Sequence, residues 1–228
     1  MKNKSEFFKI AIIALLKLIS FFALVFLLAG KIDYWQGWVF IVFNIVMALI
    51  LMALFRDKLD LAKERMHPGP GVKWWDKIIL ALFAVFIFGT MIIGILDSAR
   101  FFWTEPLPIY MYVIGYLLYS LSAALVTWPM YVNKFFSSMV RIQKDRGQTV
   151  IQEGPYKIVR HPGYTSTIIM GPSVALTLGS LYALIPGFLS IILMIVRTYL
   201  EDETLKKELK GYKEYTKKVK YRLIPGVW

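Results

Sequence analysis

The sequence predicts an all-α integral membrane protein: about six hydrophobic helices, the last two a helical hairpin, then a cytoplasmic C-terminal amphipathic helix. Three observations lead there. Of the 228 residues 57% are hydrophobic, against about 45–50% in a soluble domain. The apolar residues fall in runs that reach the ~20 residues a bilayer crossing needs. Lys and Arg crowd into alternate connections: six in residues 56–77, six in 133–164 and eight beyond 201, while the turns between hold Lys31 and Arg100.

The first run, residues 7–29, is too long for a signal-peptide core and has no clear small-residue cleavage site, so it reads as a retained span. Lys17 inside it must snorkel, pair or face the protein interior. Residues 38–55 form a second span. Residues 56–77 are a polar loop in which His67-Pro68-Gly69-Pro70-Gly71 forbids a continuous helix. Residues 78–96 and 109–132 are the third and fourth spans, and Pro129 kinks the fourth. These four spans make up one region, residues 1–132.

A second region, residues 133–228, opens with the longest polar segment, 133–164. Residues 165–178 are apolar but short for a span, with a bend at Gly171-Pro172. Gly179-Ser180 is a tight turn, and 181–200 is a full-length run. In the tail Leu205, Leu209, Tyr212, Tyr215 and Val219 recur at three- and four-residue spacing, with lysines on the other faces. That is an amphipathic helix, broken at Gly211, lying on the membrane or capping its cytoplasmic face. The positive-inside rule puts both termini and both long loops in the cytoplasm, which requires an even number of crossings; six satisfies it.

There is no cysteine, so disulfides, thiolate metal sites and cysteine nucleophiles are excluded. Two histidines argue against a histidine-rich metal site, and no metal is expected. The net charge of +12 sits beside the spans, where it sets topology and meets anionic lipid, which argues against a nucleic acid partner.

Residues 153–164, Glu-Gly-Pro-Tyr-Lys-Ile-Val-Arg-His-Pro-Gly-Tyr, look most like a built site. Pro162 suits the first position of a helix. The N-terminus of that helix would face the loop, a natural place for a carboxylate or phosphate, with Arg160, His161 and Tyr164 as donors around it. Arg197 and Glu201 lie four apart on one helical face. They read either as an ion pair ending the helix or as a substrate-binding cation beside an acid that meets a cofactor. Asp202 and Glu203 add charge and face elsewhere. Residues 141–151 read as a surface strand or loop.

The order Gly154-Pro155-Tyr156, Arg160-His161-Pro162-x-Tyr164, a helical hairpin, Arg197-x-x-x-Glu201-Asp202, Gly211-Tyr212 and a closing Arg-Leu-Ile-Pro resembles the isoprenylcysteine carboxyl methyltransferase family. The resemblance is close over residues 133–228 and general over the earlier spans. It implies a membrane-embedded enzyme that uses S-adenosylmethionine. Cofactor contacts would then fall on Gln143, Gln148, Thr149, Val150, Ile151, Tyr156, His161, Pro162, Gly163, Tyr164 and Glu201, and Arg197 would meet substrate. Arg197 and Glu201 are the catalytic candidates. The family usually has two glutamates where this chain has Glu201-Asp202, so a contact of the second acid is altered.

The expected reaction is methyl transfer to an amphiphilic, lipid-like acceptor within the bilayer. A carboxylate is favoured, because it is already ionised and needs only positioning and exclusion of water. A thiol or lipid amine would need a base, for which Glu201, His161 and Tyr164 are candidates. One rival is a sterol-reductase-like membrane reductase using a nicotinamide cofactor. Another is a non-catalytic membrane protein whose basic tail binds anionic lipid.

Overall fold

The structure, a computed structural model, describes residues 18–228. Lys17 and the start of the first span therefore lie outside the described residues. Among the described residues the protein is all helical. Its helices are α1 (Leu18–Ala29), α2 (Trp35–Phe55), α3 (Leu59–Met66), α4 (Trp74–Leu96), α5 (Ile109–Val132), α6 (Pro162–Leu178), α7 (Leu184–Glu208) and α8 (Tyr212–Lys218). α2, α4 with the π-turn that extends it to Phe101, α5 and α7 have the length and composition to cross a membrane, and the protein is multi-pass. Their outward faces carry exposed apolar side chains such as Met52, Val85, Leu117 and Ile192, as lipid contact requires.

Boundaries differ from the sequence reading where polar residues extend an apolar helix. α2 and α4 start three and four residues earlier than expected, each on an interfacial tryptophan, Trp35 and Trp74. α7 runs on to Glu208, so Arg197 and Glu201 lie within it and not at its end. Pro129 and Pro172 sit inside continuous helices. The loop 56–73 contains the short helix α3, which stops at Met66, before the Pro/Gly stretch.

The helices run between two polar ends. At one end Asp97, fully buried, accepts hydrogen bonds from the backbone N–H of Thr104 at 2.7 Å, Thr104 Oγ1 at 2.6 Å and Ser180 Oγ at 2.5 Å. Nearby, Tyr34 and Ser98 hydroxyls meet at 2.8 Å. At the other end the basic segments come together: Arg141 on Glu64, Lys73 on Glu208 and Arg160 on Asp202. The charge count of the sequence thus corresponds to a real gathering of basic residues at one end.

α6 is the hub. Its 17 residues give roughly 26 Å at 1.5 Å per residue, short of a ~30 Å hydrocarbon core. It is shielded by α5 and α7 on either side, and nine of its residues are buried. Small residues permit this. Ser166, Ser173 and Thr177 return their hydroxyls to carbonyls three residues back on the same helix. At Gly171 an added Cβ would lie 2.7 Å from the Gly187 carbonyl oxygen, so α6 and α7 touch backbone to backbone. Gly171→Val should therefore cost about 1–3 kcal/mol or more by overpacking. Gly89→Ala, whose Cβ would meet Pro186 Cβ at an ordinary 3.7 Å, should be close to neutral. Thermal unfolding of the two variants in detergent checks the contrast.

Candidate functional site

The polar stretch 153–164 is held by the C-terminal tail. The backbone N–H groups of Arg160 and His161 donate to the carbonyls of Tyr221 at 3.0 Å and Arg222 at 2.9 Å. Tyr215 Oη donates to the Tyr156 carbonyl at 2.6 Å, and Thr165 Oγ1 to the Leu223 carbonyl at 2.9 Å. Gly154-Pro155-Tyr156-Lys157 forms one 3-10 turn, and Pro162 takes the first position of α6 with His161 at the N-cap. The amphipathic tail does cap this end. Leu205, Leu209, Tyr212, Tyr215 and Val219 form one buried cluster against Ile142 and Val150, so the tail's apolar face packs on the 141–151 loop. That segment contains no strand; it is a loop around a single turn, Lys144–Arg146.

Beneath the tail lies Asp202. As expected it points away from Glu201, but into the site and not merely as added charge: it is fully buried and is the most heavily bonded acid of the site. Arg160 donates to it twice, at 2.8 and 2.9 Å, Tyr212 Oη at 3.0 Å and Arg222 Nε at 2.9 Å, with Lys206 Nζ also at 2.9 Å. His161 Nε2 lies at 3.2 Å from the same carboxylate. The two acids of the Glu201-Asp202 pair diverge because neighbours on a helix point about 100° apart. Burial and the adjacent Asp202 charge push the Tyr212 hydroxyl pKa far up, so it stays protonated and can donate.

A cleft, about 810 Å³ counting its open mouth and the solvent in it, lies between the 133–151 loop, the start of α6, α7 and the tail. Gln143, Gln148, Thr149, Val150, Ile151, Tyr156, His161, Pro162, Gly163, Tyr164 and Glu201 all line it. Their roles in holding it differ. Gln143 is spent on the loop: its Nε2 donates to the Phe135 carbonyl at 2.6 Å, its Oε1 accepts from Arg146 at 2.6 Å, and its backbone N–H donates to Gln148 Oε1 at 2.7 Å. Tyr156 Oη accepts from Asn133 at 3.0 Å. The His161 and Tyr164 rings are parallel, 5.9 Å apart.

Glu201 is different. Its Oε2 is buried and has no hydrogen-bond partner among the described residues; His161 Nδ1, at 3.8 Å, is too far to serve. An unpaired buried carboxylate oxygen costs free energy. In a cleft it is an acceptor waiting for a ligand's ammonium or hydroxyl.

Arg197 is not among the residues lining the cleft. It lies behind Tyr164, its guanidinium 4.9 Å from that ring's centre, and donates to Asp76 at 2.7 and 3.1 Å and to the Ser138 carbonyl at 2.9 Å. It pairs with Asp76 in α4, not with Glu201. Asp76, fully buried, was not singled out by sequence because an acid in a helix's first turn reads as ordinary dipole compensation. Glu64 and Arg141 were missed too. Arg141 donates to both Glu64 oxygens, at 2.9 and 2.8 Å, and to Asp145 at 2.8 Å. Gly69 allows this: a Cβ there would stand 2.9 Å from Arg141 Nη2. The signal in the sequence was the acids themselves, Glu64 and Asp76, flanking a Pro/Gly loop beside a span.

Residues 110–211 match the sequence model of the phospholipid methyltransferase family. The match covers a little under half of the chain. It takes in almost all of α5, with α6, α7 and the residues from Gln143 to Glu201 that line the cleft; Tyr212 and Tyr215 of the lining lie just beyond it. A second similarity is to a protein described as a probable 7-dehydrocholesterol reductase of Acanthamoeba polyphaga mimivirus, 32% identical over 88 residues, 37% of this chain and 20% of that protein. The chain thus spans about a fifth of that relative's length.

Two outcomes follow. Asp202→Ala leaves Arg160 buried without its partner and should cost about 3–5 kcal/mol, read as a lower unfolding temperature and faster tryptic cleavage at Lys213 to Lys220. The second concerns pH. Arg141's hydrogen bonds hold the Glu64 carboxyl below its ordinary value. A depressed folded-state pKa gives stability that is full above the unfolded value, about 4.3, and is lost as pH falls through the folded value. Glu64→Gln should remove this part of the acid destabilisation, measured as unfolding temperature against pH.

Proposed function

We propose that the chain is an S-adenosylmethionine-dependent methyltransferase acting on an amphiphilic acceptor, with a carboxylate as the methylated group. The observation that carries this reading is the unpartnered Glu201 oxygen in a cleft that opens at the N-terminus of α6. The similarity of residues 110–211 to the phospholipid methyltransferase family model supports it.

S-adenosylmethionine, when bound, supplies a methyl group on a positively charged sulfur. Its ammonium or ribose hydroxyls suit the free Glu201 oxygen. Its carboxylate suits the N-terminal end of α6, where the helix dipole favours negative charge. Val150, Ile151 and Tyr156 give an apolar wall for a base. Arg197, fixed by Asp76 and Tyr164, donates through Nε and Nη2; its Nη1 makes no hydrogen bond among the described residues and can meet an acceptor carboxylate that reaches past Tyr164, in a charge-assisted pair. A carboxylate nucleophile needs no base. His161, held by Asp202 and Tyr212, then serves to shape the cleft. The basic end faces the cytoplasm in this reading, so both termini lie there and the cofactor enters from that side.

The reductase relative favours a second reading, a nicotinamide cofactor. The cleft opposes it. Of the lining residues the arginines are Arg141 and Arg160, and both are committed, to Glu64 with Asp145 and to Asp202. The several phosphates of such a cofactor would find no free cation there.

Purified protein should bind S-adenosylhomocysteine and not NADPH in calorimetric titrations; the reverse would establish the reductase. With methyl-labelled cofactor and native membranes the labelled product should be base-labile, and a base-stable product would rule out an ester. Arg197→Ala should lower turnover roughly ten- to hundredfold and leave S-adenosylhomocysteine affinity within about threefold. Equal loss of both would refute the division of roles between Arg197 and Glu201.

A further inference from the structure

Arg65, near the end of α3, stands apart from the other arginines of this end. Arg141, Arg160, Arg197 and Arg222 each hold a carboxylate. Arg65 has no hydrogen bond or ion pair through its side chain among the described residues, although it is half-buried. Its guanidinium lies 5.3 Å from the centre of the Phe136 ring. Phe136 lines the cleft and packs on the first turn of α6: a Cβ added to Gly163 would stand 2.8 Å from Phe136 Cζ.

Arg65 and Arg197 converge on one residue. Ser138 Oγ donates to the Arg65 carbonyl at 2.8 Å, and the Ser138 carbonyl accepts from Arg197 at 2.9 Å. Each guanidinium rests on an aromatic ring of the cleft wall, Phe136 for Arg65 and Tyr164 for Arg197. Burial, and then the neighbouring Arg197 charge, make the positive form of Arg65 less favourable. Asp76 offsets Arg197, and Glu201 also acts on it but faces His161. Once Glu201 takes a ligand's cation, the two guanidiniums retain one net positive charge. A half-buried cation without a counter-ion is costly, and a ligand anion removes the cost. The flanking Met66 and Trp74 are 66% and 73% exposed, as at a membrane interface where head groups lie.

We propose that Arg65 binds the anionic head group of the amphiphilic acceptor, working with Arg197 across Phe136 and Tyr164. This rests on the methyltransferase reading for the identity of the ligand as acceptor. The arrangement selects a carboxylate or phosphate head group and rejects an amine.

The test uses full-length protein in dodecyl maltoside, with radiolabelled laurate, dodecyl phosphate and dodecylamine as probes and S-adenosylhomocysteine titrated separately. Wild-type protein should bind laurate, dodecyl phosphate or both, and dodecylamine at least tenfold more weakly; the ratio of the two anions tells which head group is preferred. Arg65→Gln should weaken anion binding about tenfold or more, Arg65→Lys by about threefold, and neither should change S-adenosylhomocysteine affinity. Laurate and dodecyl phosphate bound equally by wild type and a folded Arg65→Gln, or dodecylamine bound as well as the anions, would overturn the proposal. Should Arg65→Gln lose its unfolding transition, undiminished anion affinity in Arg65→Lys overturns it instead. Anion binding without S-adenosylhomocysteine binding would instead refute the methyltransferase reading, and with it the identity of the ligand as acceptor.

Discussion

One buried carboxylate, that of Asp202, joins the loop before α6 to α7, α8 and the tail. An isolated charge taken out of water at this depth would be untenable. Here Arg160, Arg222 and Lys206 surround it, with Tyr212 and His161 completing the shell. These partners come from the loop before α6, the tail, α7 and α8. Removing any one leaves the others under-satisfied, so the interaction acts as a lock. The order of the cleft depends on it, because the elements it joins are the cleft's walls.

A second pair of locks fixes the other side. Arg197 binds Asp76 across 121 residues of chain, and Arg141 binds Glu64 across 77. The backbone N–H of Val140 adds a bond to Asp76 at 2.7 Å. The loop after α2 is thereby joined to the loop after α5, and α4 to α7. Charges satisfied within the chain give geometry. One oxygen of Glu201 has no hydrogen-bond partner, and the guanidinium of Arg65 no hydrogen-bond or ion-pair partner, among the described residues, and the two proposals rest on them. That separation of structural from unpaired charges is why the two proposals assign ligand contact to so few residues.

α6 also takes on a different meaning. Its shortness in the sequence suggested a connector that returns Arg197 and Glu201 to the stretch around His161, and it does bring them together. It is also the best-packed helix of the bundle. Gly171 and Gly187 let it approach α7 at backbone distance, and its serine and threonine hydroxyls are satisfied by its own carbonyls, except that of Thr165, which donates to the tail. A short helix can be rigid in a membrane when its neighbours, and not lipid, cover it.

Helical architecture, the apolar spans and the basic end were legible in the sequence, and the residues it singled out around His161 and Glu201 do come to line one cleft. Each is a local property: a run of apolar residues, a count of charges, a proline at a helix start, a spacing of four. What the sequence alone could not decide is which charge meets which. Asp202 and Glu201 are adjacent and nearly alike, yet one is the most heavily bonded acid of the site and the other has a free oxygen. Arg197 looked paired with Glu201, four residues away, and is bound to Asp76 instead. Composition and periodicity act over a few residues, whereas ion pairing is settled by helices that meet only after packing. Only the tertiary structure chose the partners, because only there do loops separated by tens of residues share one low-dielectric space.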